Sequence, residues 1–169
     1  MLSPHPHSPP EPSSRQFRGA MGMFATGVTI VTVRGEAGEL AGLTVNSFNS
    51  VSMHPPLIVW SLSLRSHSLP TFCRASHYAI NVLAADQHAL ALRFASSSGD
   101  RWAGVDWRPG VDGVPLIADA LAHFECANHS HQTEGDHELF IGRVERCTHR
   151  TDAEPLIFHG GKFFAEQAL

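Results

Sequence analysis

Two polar clusters carry the residue types with the clearest chemistry. In the stretch from Ala41 to Pro56, AGLTVNSFNSVSMHPP, the residues Thr44, Asn46, Ser47, Ser50 and Ser52 supply hydrogen-bond donors and acceptors without net charge. That set suits a neutral heterocycle better than a metal ion or a polyanion. The competing reading is a β-turn-β corner whose Asn and Ser side chains satisfy their own backbone. If the run is extended, Thr44, Asn46 and Phe48 share one face. The second cluster, Arg65-Ser66-His67-Ser68, stands at a strand end and a helix start. Free N–H groups and the positive dipole end favour a phosphate there, and Arg65 adds fixed charge. A plain capping sequence is the alternative. Together the clusters point to a ligand with a neutral polar ring system and a phosphate tail.

Other chemistries find less support. Twelve histidines oblige a metal test. His129 and His131 are two apart, with Glu134 and His137 close behind, which resembles half of a cupin site. The glycine-led approach and the distant final histidine of that pattern are missing, so no metal centre is expected and these read as solvent-facing strand histidines. Cys73, Cys126 and Cys147 have no C-x-x-C spacing and no adjacent base, and read as buried thiols in a reducing compartment. There is no G-x-S-x-G, no G-x-x-x-x-G-K and no G-x-G-x-x-G after a strand, which removes the hydrolase, nucleoside-triphosphatase and Rossmann readings.

The elements that must position the clusters follow from periodicity. Residues 1–14, with five prolines and four serines, read as a disordered tail, leaving 15–169 as one domain. A short amphipathic helix is expected over Gln16 to Ala25, ended by Gly27. The β-branched run Val28 to Arg34 begins a hairpin that resumes at Leu40. Pro55 and Pro56 are expected to end pairing before Leu57 to Ser63, a strand apolar enough to be buried on both faces.

A helix start at Thr71 to Ala75 with a hydroxyl cap, a strand at His77 to Leu83, and a helix at Asp86 to Ala95 capped by Asp86 come next. That last helix would offer Leu90, Leu92 and Phe94 to the core. Ser96 to Gly113 reads as a long irregular loop. Leu121 to Thr133 and Leu139 to His149 form an antiparallel pair, and Gly160-Gly161 links a final hairpin. Six to eight strands with two or three short helices, few in βαβ order, predict a mainly β, antiparallel barrel.

A net charge of −4 with a single Lys argues against nucleic acid as the main partner. No window is long and apolar enough for a membrane helix, and no signal-peptide pattern opens the chain, so a cytoplasmic location is expected.

The chain resembles the short-chain flavin reductase family, the FMN-binding split β-barrel proteins that serve as reductase components of two-component flavin monooxygenases. The resemblance rests on FATGVTIVTV, GLTVNSFNSVSMHPP, SLRSHSLP, YAINVL, RFA, EGDHELFIGRV and FHGGKF, in the family's order from Phe24 to Phe163. It implies an antiparallel split barrel with short peripheral helices, FMN or FAD as cofactor, and NADH or NADPH as co-substrate. Thr44, Val45, Asn46, Ser47, Phe48, Ser50, Val51 and Ser52 would line the flavin ring. Arg65, Ser66, His67 and Ser68 would hold the phosphate, and Phe94 and Ala95 would close the flavin's side.

The resemblance further implies that His137, Phe158, His159, Gly160 and Gly161 border the nicotinamide, with His137 orienting it. Phe158 and His159 depart from the family's frequent Tyr. A homodimer and a partner monooxygenase fed by diffusible reduced flavin are implied as well. A flavin-binding electron-transfer protein without nicotinamide turnover and a cupin-like metal protein are the competing functions.

Overall fold

The computed structural model describes residues 12–166. Helix α1, Ser14–Met21, is set by a capping box: the Ser13 hydroxyl accepts the Gln16 N–H, while the Gln16 side chain accepts the Ser13 N–H. It ends at Gly22, so it starts two residues before the expected span and stops four before it, and none of its residues is buried. Ser13 and Ser14 thus belong to a helix start, while residues 1–11 of the expected tail lie outside the described residues.

The chain then builds twelve described strands, more than the count expected, because several are only two to four residues long. They are β1 (Thr26–Gly27), β2 (Thr29–Arg34), β3 (Leu40–Val45), β4 (Asn49–Met53), β5 (Pro56–Ser63), β6 (His77–Val82), β7 (Trp107–Pro109), β8 (Pro115–Ile117), β9 (Ala122–Glu134), β10 (His137–His149), β11 (Leu156–His159) and β12 (Lys162–Ala165). Helices α2 (Leu69–Arg74) and α3 (His88–Ala95) complete the set. Among the described residues, no helix is long and apolar enough to cross a membrane.

Seven strands form one antiparallel sheet in the order β3-β2-β6-β9-β10-β5-β4. Its two edge strands, β3 and β4, are joined in sequence by only Asn46, Ser47 and Phe48. The sheet therefore curls until its edges meet across this link, an antiparallel split barrel with short peripheral helices. Inside it, Trp60 stacks on Phe140 with ring centres 4.5 Å apart, and Phe72 and Tyr78 meet Trp60 edge-on. Val31, Ile58, Leu62 and Ile80 fill the remainder. A second core, Val28, Ile30, Leu83, Ala91, Phe94, Ile117 and Leu156, packs α3 and the β1-β11-β12 sheet onto the barrel.

Several expectations give way to tertiary context. Pro55 and Pro56 do not end pairing: His54 and Pro55 make the turn of a β4–β5 hairpin, and Pro56 pairs with Met53. β5 is buried on one face, through Ile58, Trp60 and Leu62, while Leu57, Val59, Ser61 and Ser63 stay partly exposed. The Ser68 hydroxyl does not cap α2, although Pro70 does occupy its first turn. The Asp86 segment divides into a 3₁₀ turn, Ala85–Gln87, and α3, whose N-cap is Gln87; Leu92 of α3 is 51% exposed.

Within the expected loop, β7 forms and pairs with β8 just beyond it, and a 3₁₀ turn spans Val111–Gly113. Cys126 is buried, but Cys73 is only partly so and Cys147 is exposed. The β9–β10 pair and the Gly160-Gly161 hairpin form as expected, both glycines taking positive φ.

Candidate functional site

The link between the sheet edges forms the middle of a groove. Ser47 fixes it: its hydroxyl accepts the Ser61 N–H at 3.0 Å and approaches the Ser61 carbonyl oxygen at 3.4 Å. The run is thus a strand, a bend and a strand, and not one extended segment. The N–H groups of Asn46, Ser47 and Phe48 lie outside the ladder and donate to no other group among the described residues. Thr44, by contrast, turns to α3 and donates to the Ala91 carbonyl oxygen at 2.7 Å.

Three adjoining hollows make the groove. The central one, about 350 Å³, is lined by Thr44, Val45, Asn46, Ser47, Ser61, Ser63, Ser66, Phe94, Ala95, Arg101 and His137. Beyond Ser66 and Arg101, which both hollows share, lies a polar end with Arg65, His67, Ser68, Ser97 and Trp102. Beyond Asn46 and Ser47 lies an apolar end with Met21, Phe24, Phe48, Phe158 and Gly161. The middle is rich in hydroxyls and shares Arg101 with the polar end, while the far end is mainly apolar with Arg18, Thr26 and Asn49 also in its lining.

His137 opens β10 between Ser63 of β5 and Glu134 of β9. Its Nδ1 faces Asp136 Oδ1 at 2.7 Å, which leaves Nε2 for a ligand, and this hydrogen bond holds the Asp136 carboxyl below its ordinary pKa. Arg101 is anchored by the Ser96 carbonyl oxygen at 2.7 Å and the Gly42 carbonyl oxygen at 2.9 Å. Gly42 itself is needed at the back wall, where a Cβ would stand 2.8 Å from the Phe94 ring.

The groove therefore gathers Thr44 to Phe48, Arg65 to Ser68, Phe94, Ala95, His137, Phe158 and Gly161. It does not gather Ser50, Val51 and Ser52, which run along β4 away from it. Gly160 instead donates its N–H to the Gly22 carbonyl oxygen, and His159 lies beside Phe164. Sequence reasoning missed Ser61, Ser63 and Arg101. The two serines had a signal, since the two-residue period sets them opposite Trp60 and Leu62. Arg101 had none beyond its place after Phe94 and Ala95.

The histidine set weighed for a cupin site is dispersed. His137 faces the groove, while His131 bonds Glu138. A separate hollow of about 760 Å³ near Arg34, Arg74 and Asp112 contains none of the expected site residues.

An elongated ligand with a neutral polar ring and an anionic tail fits this donor set: free N–H groups and hydroxyls face the ring, and two guanidiniums face the tail. Comparison with known proteins agrees. The sequence matches the flavin reductase like domain over residues 21–167. It is 45% identical over 163 residues to the FMN reductase (NADH) SmoA of Agrobacterium fabrum, covering 96% of this chain and 92% of that one. It is 35% identical to the reductase subunit HsaB of a flavin-dependent monooxygenase of Rhodococcus jostii, covering 88% and 76%. Among solved structures, an NADH:FAD oxidoreductase of Streptomyces globisporus in complex with NAD and FAD fragments superposes with a TM-score of 0.85 at 40% identity, covering 94% and 96%. With a hydroxyl-lined groove at the seam of a split barrel, two guanidiniums toward its polar end and a match over most of its length, this chain belongs to the flavin reductase family.

Proposed function

We propose that this protein is an NAD(P)H-dependent flavin reductase that passes hydride from a reduced nicotinamide to FMN or FAD and supplies reduced flavin to a partner monooxygenase. The observation that carries this is the continuous groove, cationic at Arg65 and Arg101, neutral from Thr44 to Ser47, and apolar at Phe24 and Phe158. The similar proteins support it by name: one is an FMN reductase using NADH, one an NADH:FAD oxidoreductase and one the reductase subunit of a monooxygenase.

Bound flavin supplies the hydride acceptor. The N–H groups of Asn46 to Phe48 and the hydroxyls of Ser61 and Ser63 hold the ring and favour the negative charge that reduction brings. Arg65 to Ser68 and Arg101 hold the phosphate, and Phe94 and Ala95 close the flavin's side. Phe158 and Gly161 bound the space for the nicotinamide, and His137 orients it. No side chain here needs to move a proton, so His137 is a positioning residue. Ser50, Val51, Ser52, His159 and Gly160 take no part within a single copy.

The same reading includes a homodimer. Phe17, Met21, Met23 and Phe24 near the apolar end, with Val51 and Met53 on β4, are each more than half exposed. That is much apolar surface for one small domain, and a second copy is its fitting cover. A tail preceding the helix cap at Ser13, one domain from there on, and a cytoplasmic location consistent with three free cysteines complete the proposal.

Stopped-flow oxidation of NADH and NADPH with added FMN or FAD tests it. Flavin-dependent nicotinamide oxidation is expected; tight flavin binding with no turnover under any pairing overturns the reductase reading in favour of an electron-transfer protein.

A further inference from the structure

On the reverse side of the strand that carries His137, three unlike metal-ligand donors converge. Cys73 of α2, His131 of β9 and Glu138 of β10 place one ligand atom each within 4.8 Å of one another. Glu138 follows His137 directly, and strand alternation sends its side chain to the opposite face. Glu138 is 7% exposed, while Cys73 is half-buried and His131 stands at the surface. One Glu138 oxygen receives the Thr133 hydroxyl at 2.7 Å, and the other meets His131 Nδ1 at 2.5 Å. The His131 ring lies against Phe140, with centres 5.4 Å apart, which fixes its plane.

We propose that Cys73, His131 and Glu138 form a zinc-type cation site, distinct from the flavin groove, with three protein ligands and an open fourth position. Thiolate, imidazole and carboxylate on one centre select a borderline-soft divalent cation over magnesium or calcium. Charge also balances: a divalent cation with one thiolate and one carboxylate leaves no net charge at the site. Tetrahedral zinc sets such donors roughly 3.3–3.6 Å apart. The His131–Glu138 pair opens and Cys73 closes in by about 1 Å, within the reach of side-chain rotation.

Binding releases the Cys73 thiol proton, and the metal replaces the hydrogen bond between His131 Nδ1 and Glu138, the neutral imidazole keeping its proton on Nε2. The outer support that metal ligands need is already present, since Thr133 holds the second Glu138 oxygen. The site also ties two elements of the groove together from behind. α2 follows directly from Ser68, and β10 begins with His137.

Titration of untagged, chelator-treated full-length protein with cobalt(II) tests the assignment. One equivalent is expected to raise a thiolate-to-cobalt charge-transfer band in the near ultraviolet, abolished by one equivalent of zinc. Cys73→Ser should lose the band, and Glu138→Gln should weaken cobalt binding by at least the roughly tenfold that loss of even an outer-shell partner costs. Cys147→Ser should leave both unchanged. Flavin reduction by Cys73→Ser reports that this variant is folded, because Cys73 lies outside the groove. Absence of a band in the native protein, or a band that survives Cys73→Ser and disappears in Cys147→Ser, overturns the proposal.

Discussion

The Ser47 hydroxyl accepts the Ser61 N–H at 3.0 Å, so the link between the two sheet edges is pinned to β5. One net hydrogen bond of this kind contributes about 1 kcal/mol, or roughly fivefold in an equilibrium. Ser47→Ala is therefore expected to raise the flavin KM several-fold with little change in kcat at saturating flavin. The bond is exposed, so the melting midpoint should hardly move. A fall in kcat at unchanged KM would show that the bend acts on the reaction and not on binding.

Arg101 reaches the groove from a loop and spends two of its donors on backbone carbonyls, which leaves its charge fixed between the ring and the polar end. A fixed guanidinium discriminates phosphate. Arg101→Ala should cost FMN about 1.5–3 kcal/mol of binding, more than tenfold. Riboflavin, which has the ring and no phosphate, should bind nearly as before. Parallel fluorescence titrations with both flavins decide this; equal losses would mean that Arg101 supports the groove only through Gly42 and Ser96.

Ser66 and His137 stand across the central hollow with different expected partners. Ser66→Ala should weaken FMN more than NADH, and His137→Ala should raise the nicotinamide KM severalfold while leaving flavin affinity within about twofold, since only a net hydrogen bond is lost. Steady-state KM values for each substrate check the division, and equal effects on both ligands from either variant contradict it.

What was legible in the sequence was local. The run TIVTVR is β-branched and lies in the sheet; Gly160-Gly161 supplies the two positive φ values of a tight turn. The groove wall from Thr44 to Ser47 was legible because its side chains are polar without being charged. What was not legible depends on partners distant in sequence. Thr44 reads as a ligand contact until α3 brings the Ala91 carbonyl oxygen to its hydroxyl. Ser50 and Ser52 read like Ser47, but β4 pairs with β5 and carries them off. Arg101 becomes a site residue only because the loop folds back on Gly42, and Cys73 meets Glu138 only through the packing of α2 on the barrel.

Asp112 gives a pH test away from the groove. The Ser76 hydroxyl donates to its carboxylate at 2.6 Å, and His77 lies near at 3.4 Å; these lower its pKa, Ser76 first. A carboxyl lowered in the folded state contributes stability fully above its ordinary pKa, and loses it as pH falls through the lowered value. Asp112→Asn, which tolerates the φ of 54° at this position, should flatten the acid limb of a stability-against-pH curve below about pH 4. The group is exposed, so the effect at neutral pH should stay below about 1 kcal/mol. Chemical denaturation at a series of pH values measures it; an unchanged acid limb would place the acid sensitivity elsewhere.

Gly142 sits in the middle of β10, where a pairing shift beside Ile141 bends the strand around the core. A Cβ there would run into the Tyr78 hydroxyl and come within 3.1 Å of Cys126 Cβ. Tyr78 is fully buried and touches Trp60 edge-on, so its ring cannot retreat without disturbing the aromatic centre of the barrel. Overpacking of this kind costs about 1–3 kcal/mol. Gly142→Ala should lower the unfolding midpoint accordingly, and Gly142→Ala with Tyr78→Phe should recover part of the loss, because removing the hydroxyl opens the space the methyl needs. If the double variant is no more stable than the single one, the clash is with the strand backbone, and the glycine is required by the bend of β10 rather than by the tyrosine that faces it.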